Sequence, residues 1–174
     1  PFEDINDHWA KDDILAVYEK GLMNGTGSKN FSPELPLSRA MLVTIEPAPT
    51  GANPFTDLTE DWYKSAVIWA NENGIVFGYG DGLFKPEDNI TRQDVAVILA
   101  RYMEYAGIEI PVTQEYRYFA DEDEISGYAK NAVQLLNKLD VIRGVENDRI
   151  DPKGTATRAK IAAMLNRFLK AIEK

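Results

Sequence analysis

The chain has 174 residues, of which 44% are hydrophobic and 27% are charged, as in ordinary folded proteins. Because the chain has no Cys, disulfides and thiolate chemistry are excluded. Its single His disfavours a His-rich metal site or a Ser-His-Asp hydrolase. A net charge of −9 disfavours nucleic acid, because phosphates require a basic surface. No apolar run is long enough for a spanning helix and no signal peptide is recognisable, so we expect no membrane insertion.

Three similar blocks follow one another along the chain. Each opens with Phe-x-Asp, continues to a loop glycine and an aromatic- or Ile-x-Pro turn, and ends in a hydroxyl residue followed by Arg. The three openings are Phe2, Phe55 and Phe119, and the hydroxyl-Arg pairs are Ser38-Arg39, Thr91-Arg92 and Thr157-Arg158. This common register predicts three repeats, at 1–54, 55–118 and 119–174.

The first half of each block predicts one amphipathic helix, over 8–20, 61–73 and 127–139. Gly21 and Gly74 stand where a residue in the left-handed conformation would end that helix. Asp140 takes the same place in the third block, at some conformational cost.

A second helix is predicted to begin after each hydroxyl residue. Ser38, Thr91 and Thr157 are natural N-caps, and the second helices of blocks two and three extend for about four turns. The predicted fold is therefore all-α, built from three helix-loop-helix units.

Block one is shorter than block two in this second half. Sixteen positions separate Arg39 from Phe55, whereas 27 separate Arg92 from Phe119, so about eleven residues after Ile45 have no counterpart. Either the helix is truly short or a segment is missing from the sequence; we favour the second, because a half-length helix would leave the shared core unfilled.

The threefold pattern resembles the S-layer homology family over essentially the whole chain. The resemblance rests on Phe-x-Asp, a helix-start Trp, a Gly-x-Gly loop, Phe-x-Pro and a motif similar to Thr-Arg-Ala-Glu. The last stands here as 38–41, 91–94 and 157–160, and only Asp94 keeps an acid at its fourth position. The resemblance implies a pseudo-threefold, three-prong spindle with a central bundle of second helices and grooves between the prongs.

The same resemblance implies a secreted, monomeric module of the bacterial cell surface that needs no cofactor. Such modules anchor surface-layer proteins and exoenzymes by binding secondary cell wall polysaccharide, typically its pyruvylated N-acetylmannosamine unit. The alternative from the residues alone is a helical-repeat module that binds proteins. We expect no enzyme, because no pair of carboxylates recurs among the blocks.

The candidate sugar-binding residues follow from the carboxylate of a pyruvate ketal, which an arginine fork pairs with bidentately. Arg39 and Arg92 are expected to be exposed in the first turn of a helix, where the fold does not depend on them; the alternative is pairing with acidic side chains. The other candidates for the first two sites are Ser38, Thr91, Gly25, Gly78, Met23, Phe77, Trp69, Tyr79, Lys11 and Lys64.

A weaker third site is predicted at Arg158 and Gly144, because Glu146 replaces the second loop glycine and adds a negative charge.

Three further residues, the aromatics at the start of each first helix, have two possible roles. Trp9, Trp62 and Tyr128 either stack on a sugar or, as their helical position favours, pack in the core or between repeats. The three glycines either contact the ligand or form a tight turn.

Overall fold

The computed structural model describes residues 1–42, 49 and 51–173. Within these ranges the chain is mainly helical and contains no β-strand, as the sequence predicted. The α-helices are α1 (Lys11–Glu19), α2 (Arg39–Leu42), α3 (Asp61–Glu72), α4 (Arg92–Ala106), α5 (Lys130–Lys138) and α6 (Arg158–Ile172). Short 3-10 turns occupy Glu122–Glu124, Gly127–Ala129 and Glu146–Asp148. None of the helices in the described ranges is long and apolar enough to cross a membrane.

The predicted ends of the first helices are confirmed. Gly21 and Gly74 follow α1 and α3 with φ values of +70° and +71°, and Asp140 follows α5 at +58°. The third repeat thus keeps the left-handed turn without glycine. The start of that repeat's first helix differs from the prediction, because a 3-10 turn precedes α5.

The predicted N-caps of the second helices are also confirmed. The hydroxyl of Thr91 accepts a hydrogen bond from the Asp94 backbone N–H at 3.2 Å, and Thr157 and Ser38 cap their helices in the same way. Both α4 and α6 have 15 residues, or about four turns. Whether the second helix of repeat one is truly short depends largely on residues 43–48, which lie outside the described residues.

The repeats pack cyclically. Each second helix contacts the first helix of the following repeat: α2 contacts α3, α4 contacts α5, and α6 returns to α1. The backbone closes the same cycle, since Leu37 N–H donates to the Ala156 carbonyl, Ala156 N–H to the Ile90 carbonyl, and Ile90 N–H to the Leu37 carbonyl, at 2.9–3.0 Å. The repeats therefore form a closed ring; the three-prong shape and the repeat boundaries stay predictions.

Most of the buried apolar side chains form one core. It joins α1, α4, α5 and α6, so apolar residues of α4 and α6 such as Val95, Leu99, Ile161 and Phe168 share it. A second cluster lies under α3 and includes Tyr63, Val67 and Phe84.

Candidate functional site

The aspartate of each Phe-x-Asp opening shapes the loop that precedes a second helix. The carboxylate of Asp4 accepts hydrogen bonds from the backbone N–H groups of Phe31 and Ser32, at 2.9 and 2.7 Å. Asp57 and Asp121 do the same in repeats two and three. Burial alone would raise the pKa of Asp4, but these donors outweigh it and hold the pKa below its ordinary value.

The loop glycines are required by close packing. A Cβ at Gly25 would lie 2.6 Å from Cε1 of Phe2, and one at Gly78 would lie 2.6 Å from Cε1 of Phe55. At Gly144 the corresponding distance, to Phe119, is 2.7 Å. A side chain at these distances would force its neighbours to move, so close packing against the phenylalanine of each opening accounts for the presence of glycine in all three repeats. Neither a ligand nor a left-handed turn is needed to explain it, since none of the three has a positive φ.

The three repeat arginines are buried, which corrects the expectation that they are exposed and dispensable for the fold. Arg39, Arg92 and Arg158 are 5–7% exposed. Each guanidinium reaches the loop of the following repeat: Arg39 Nε donates to the Phe84 carbonyl and its Nη2 to the Phe77 carbonyl, both at 3.0 Å. The arginines therefore join repeats, and they bind backbone carbonyls instead of acidic side chains.

The same pairing holds at the other two boundaries. Arg92 donates to the carbonyls of Ile150 and Arg143 at 2.9 and 2.7 Å, and Arg158 donates to those of Phe31 and Asn24. The ring thus pairs each arginine with a loop of another repeat. Within the described part of the chain, the Nη1 atom of each repeat arginine makes no hydrogen bond.

Each of three surface cavities lies beside the loop of one repeat and draws on the neighbouring repeats. Groove B, of about 240 Å³, joins the loop Val76–Tyr79 and α4 of repeat two to Arg39 of repeat one and Tyr128 of repeat three. From α4 it takes Asp94 and Arg101. The Arg39 guanidinium lies 4.9 Å from the centre of the Tyr79 ring, so this cation has an aromatic wall beside it.

Groove A is the equivalent cavity at the loop of repeat one, with a volume of about 500 Å³. It brings together Met23, Gly25, Arg158 and Trp62 from three repeats. Of the described residues lining groove A, Arg158 is the only charged one.

Groove C lies beside the loop of repeat three and measures about 890 Å³. Trp9 of repeat one takes the aromatic position, and Arg167 takes the place that Arg101 has in groove B. Arg92 is not among the described lining residues, and Arg143 is held by Asp140 through two hydrogen bonds of 2.7 and 2.6 Å.

The three-repeat arrangement has a clear counterpart among known families. The model of the S-layer homology domain matches residues 1–40, 54–96 and 118–159. The chain belongs to the S-layer homology family.

Relatives of the S-layer homology chain include both enzymes and surface-layer proteins. An endoglucanase of Bacillus sp. (strain KSM-635) is 31% identical over 97% of the chain and 19% of its own length. An amylopullulanase of Thermoanaerobacterium thermosulfurigenes is 33% identical over 97% of the chain and 9% of its own length. A surface-layer 125 kDa protein of Lysinibacillus sphaericus is 28% identical over 95% of the chain and 14% of its own length.

The chain spans less than a fifth of the length of these relatives. It corresponds to the segment that enzymes and surface-layer proteins share, which is a non-catalytic anchoring module. Family membership and the surface-layer relatives locate this S-layer homology module at the cell wall and the surface layer.

The structure separates the two residues of the predicted third site. Arg158 lines groove A, whereas Gly144 follows Arg143 in the loop of repeat three, whose carbonyl is bound by Arg92. The residue expected to weaken that site, Glu146, is exposed and lies outside the described lining of groove C. The charge of Glu146 therefore gives no reason for groove C to bind an anion more weakly.

The remaining predicted residues divide between the grooves and the scaffold. Phe77 and Tyr79 line groove B. Ser38 and Thr91 serve as helix caps, and Lys11 and Lys64 line none of the three grooves within the described ranges.

Trp69 belongs to the scaffold as well. Its ring lies edge-on to Tyr105, with 5.4 Å between the ring centres, and lines a separate apolar cavity. It is not among the described residues that line groove B. Its occurrence in repeat two alone therefore has a packing reason.

The helix-start aromatics are exposed, so the interpretation of them as core residues is wrong. The packing between repeats that was predicted beside it holds for Tyr128, which is bound by Gln93 and Asp94 of repeat two. Trp9, Trp62 and Tyr128 are 64%, 53% and 61% exposed and line grooves C, A and B. An exposed aromatic face beside a cation is suited to a sugar ring with an acidic substituent.

The sequence reasoning did not single out Arg101, a groove residue of α4. Arg101 lies with its guanidinium 4.6 Å from the centre of the Phe77 ring, and burial lowers its pKa. Repeat register held a signal for it, because Arg167 occupies the matching position nine residues after the repeat arginine.

Proposed function

We propose that the chain anchors its parent polypeptide by binding secondary cell wall polysaccharide, with the pyruvylated N-acetylmannosamine unit held in grooves A and B. The coarser function, attachment of surface-layer proteins to the cell wall, comes with the family. The finer one rests on the chemistry of the groove walls.

The observation that carries the proposal is the lining of groove A. Arg158 offers one buried positive charge, Trp62 an exposed aromatic face, and Met23 an apolar surface. Pyruvylated N-acetylmannosamine offers the complementary set: one carboxylate, one sugar ring and one methyl group. Since charged hydrogen bonds contribute roughly 1.5–3 kcal/mol, the carboxylate should dominate affinity.

Groove B has the same elements in a tighter form. Arg39 supplies the cation, and Tyr79 and Tyr128 are aromatic residues of the wall. Arg101 adds a second positive charge and Asp94 a negative one, so the groove keeps a net charge that favours a monoanion.

Calorimetry with two sugars tests the proposal. The methyl glycoside of pyruvylated N-acetylmannosamine is titrated into the chain, and the glycoside without pyruvate serves as the control. We expect the pyruvylated sugar to bind about 10- to 100-fold more tightly than the control. Equal binding of both sugars, or binding of neither, would contradict the proposal, and the second result would direct the search to protein ligands.

A further inference from the structure

Gln93 is a buried polar residue at the boundary between repeats two and three. It follows Arg92 in the first turn of α4 and is only 4% exposed. The matching positions in repeats one and three are Ala40 and Ala159, both fully buried. The repeat fold therefore accommodates alanine here, and the glutamine does something particular to repeat two.

The side chain of Gln93 fixes the start of repeat three. Its Oε1 accepts from the backbone N–H of Ser126 at 3.0 Å. Its Nε2 donates to the Ser126 hydroxyl at 3.0 Å and to the Tyr128 hydroxyl at 3.1 Å. One amide thus holds both the backbone of Ser126 and the side chain of Tyr128, which lines groove B.

Tyr128 is held from its other side as well. Its hydroxyl donates to Oδ1 of Asp94 at 2.7 Å, and the Thr91 hydroxyl donates to Oδ2 of the same carboxylate at 2.6 Å. The ring is 61% exposed, so packing alone does not immobilise it. Burial and the bond to Asp94 raise the pKa of Tyr128 to about 12, which keeps the hydroxyl protonated as the donor.

The aromatic residues of the other two grooves lack this restraint. Trp9 and Trp62 have no hydroxyl, and the contacts that the described residues give their rings are with the neighbouring rings of His8 and Tyr63. Groove B therefore differs from groove A in having an aromatic residue whose orientation is set by side-chain hydrogen bonds from another repeat.

We infer that Gln93 is a positioning residue for groove B, which holds Tyr128 in the orientation that a sugar ring requires. This inference rests on the proposed function of the grooves. A side chain that is already ordered loses less conformational entropy on binding. The ordering of Tyr128 should therefore raise the affinity for the sugar at groove B and not at the other grooves. Gln93 is not among the described residues that line groove B, so we expect it to act on the sugar only through Tyr128.

The test follows each groove separately by NMR. Isotope-labelled chain is titrated with the methyl glycoside of pyruvylated N-acetylmannosamine; the Gly78 amide reports groove B and the Gly25 amide reports groove A. We expect Gln93→Ala to weaken binding at Gly78 by about three- to tenfold and to leave Gly25 unchanged. Equal weakening at both glycines, or no weakening at Gly78, would overturn the inference.

Tyr128→Phe separates positioning from a general structural effect. It keeps the ring and removes the hydroxyl, so it should weaken Gly78 binding as Gln93→Ala does. If Gln93 acts through Tyr128, adding Gln93→Ala to Tyr128→Phe should change binding little further. Additive losses in the double variant, or full affinity in Tyr128→Phe, would refute positioning.

A measurement without sugar keeps the inference independent of the proposed function. In fluorine NMR of the chain labelled with fluorotyrosine, the chemical shift of Tyr128 in the wild type should differ from that of free tyrosine. In Gln93→Ala the chemical shift of Tyr128 should move toward the value of free tyrosine. Failure of the wild type to bind sugar would sink the proposed function alone. An unchanged Tyr128 signal in Gln93→Ala would sink the positioning role.

Discussion

Grooves A and C occupy equivalent places in the repeat, and their walls differ in charge. Groove A has Arg158 as its one charged residue among those described. In groove C three cations face three acids, and the described charged residues are Arg143, Arg167, Lys170, Asp13, Asp140 and Glu173. The repeated backbone thus builds a cavity at each loop, while residues outside the repeat motif decide whether that cavity attracts an anion. Groove C should be the weakest site for a monoanion.

The largest effect is expected from removing the repeat arginines. Arg158→Ala should weaken sugar binding at groove A by about 10- to 100-fold, because it removes the one cation there. It should also lower the free energy of unfolding by about 2–4 kcal/mol, because the carbonyls of Phe31 and Asn24 lose their donor. Calorimetry and urea denaturation measure the two losses.

Arg92→Ala is the matched control for that comparison. It should show a similar loss of stability, since Arg92 also binds two carbonyls, but little change in sugar affinity, since it does not line groove C. A large affinity loss with Arg92→Ala would mean that grooves A and C bind alike.

The loop glycines of repeats one and three should have the same effect on stability. Gly25→Ala and Gly144→Ala each force a methyl group against a phenylalanine ring, so each should cost about 1–3 kcal/mol of stability. Gly27→Ala is the control, because nothing lies within 4 Å of a Cβ there. Thermal unfolding compares the three variants, and a stable Gly144→Ala would show that the two loops are built differently.

Removing one negative charge from groove C should bring its affinity for the sugar closer to that of groove A. Asp140→Gly frees Arg143 from its salt bridge and fits the left-handed backbone at φ +58°. We expect sugar affinity at groove C, followed by NMR at the amide of its lining residue Gln114, to rise about two- to fivefold, as for partly exposed charges. Asp140→Asn, which also tolerates that conformation, should share the gain; no gain in either variant would argue against charge as the cause.

The smallest effect is expected from low pH, which should destabilise repeats one and three in the same way. The pKa values of Asp4 and Asp121 lie below the ordinary value: burial opposes this shift, but backbone N–H donors outweigh it, and Arg149 assists at Asp121. The unfolded chain therefore binds protons first, and stability should fall as pH drops below about 4. Asp4→Asn should flatten this decline in urea denaturation between pH 5 and pH 2; an unchanged slope would contradict the assignment.

Local features were predictable from the sequence because each repeat confirmed the others. The caps at Thr91 and Thr157 and the left-handed residues at Gly21 and Gly74 depend on a few neighbouring residues, and the structure confirms them. Even Asp140 keeps the conformation of the glycine that it replaces.

The contacts between repeats were not predictable in the same way. Sequence register shows that Arg158 and Gly144 belong to one repeat, but only the closed ring shows that Arg158 reaches the loop of repeat one. The exposure of Trp9 and Trp62 was missed for a related reason, because an aromatic residue at a helix start looks like a core residue until its neighbour is known.

The hydrogen bonds among Leu37, Ile90 and Ala156 form a closed cycle, which limits the number of repeats that this molecule can contain. An open solenoid gains or loses a unit at either end and keeps the interfaces of the rest. Here, deleting one unit would leave a donor at Leu37 or its equivalents without an acceptor, and inserting a fourth would break a cycle of three. Gene duplication can therefore multiply the whole triplet, whereas a single added unit has no place to dock.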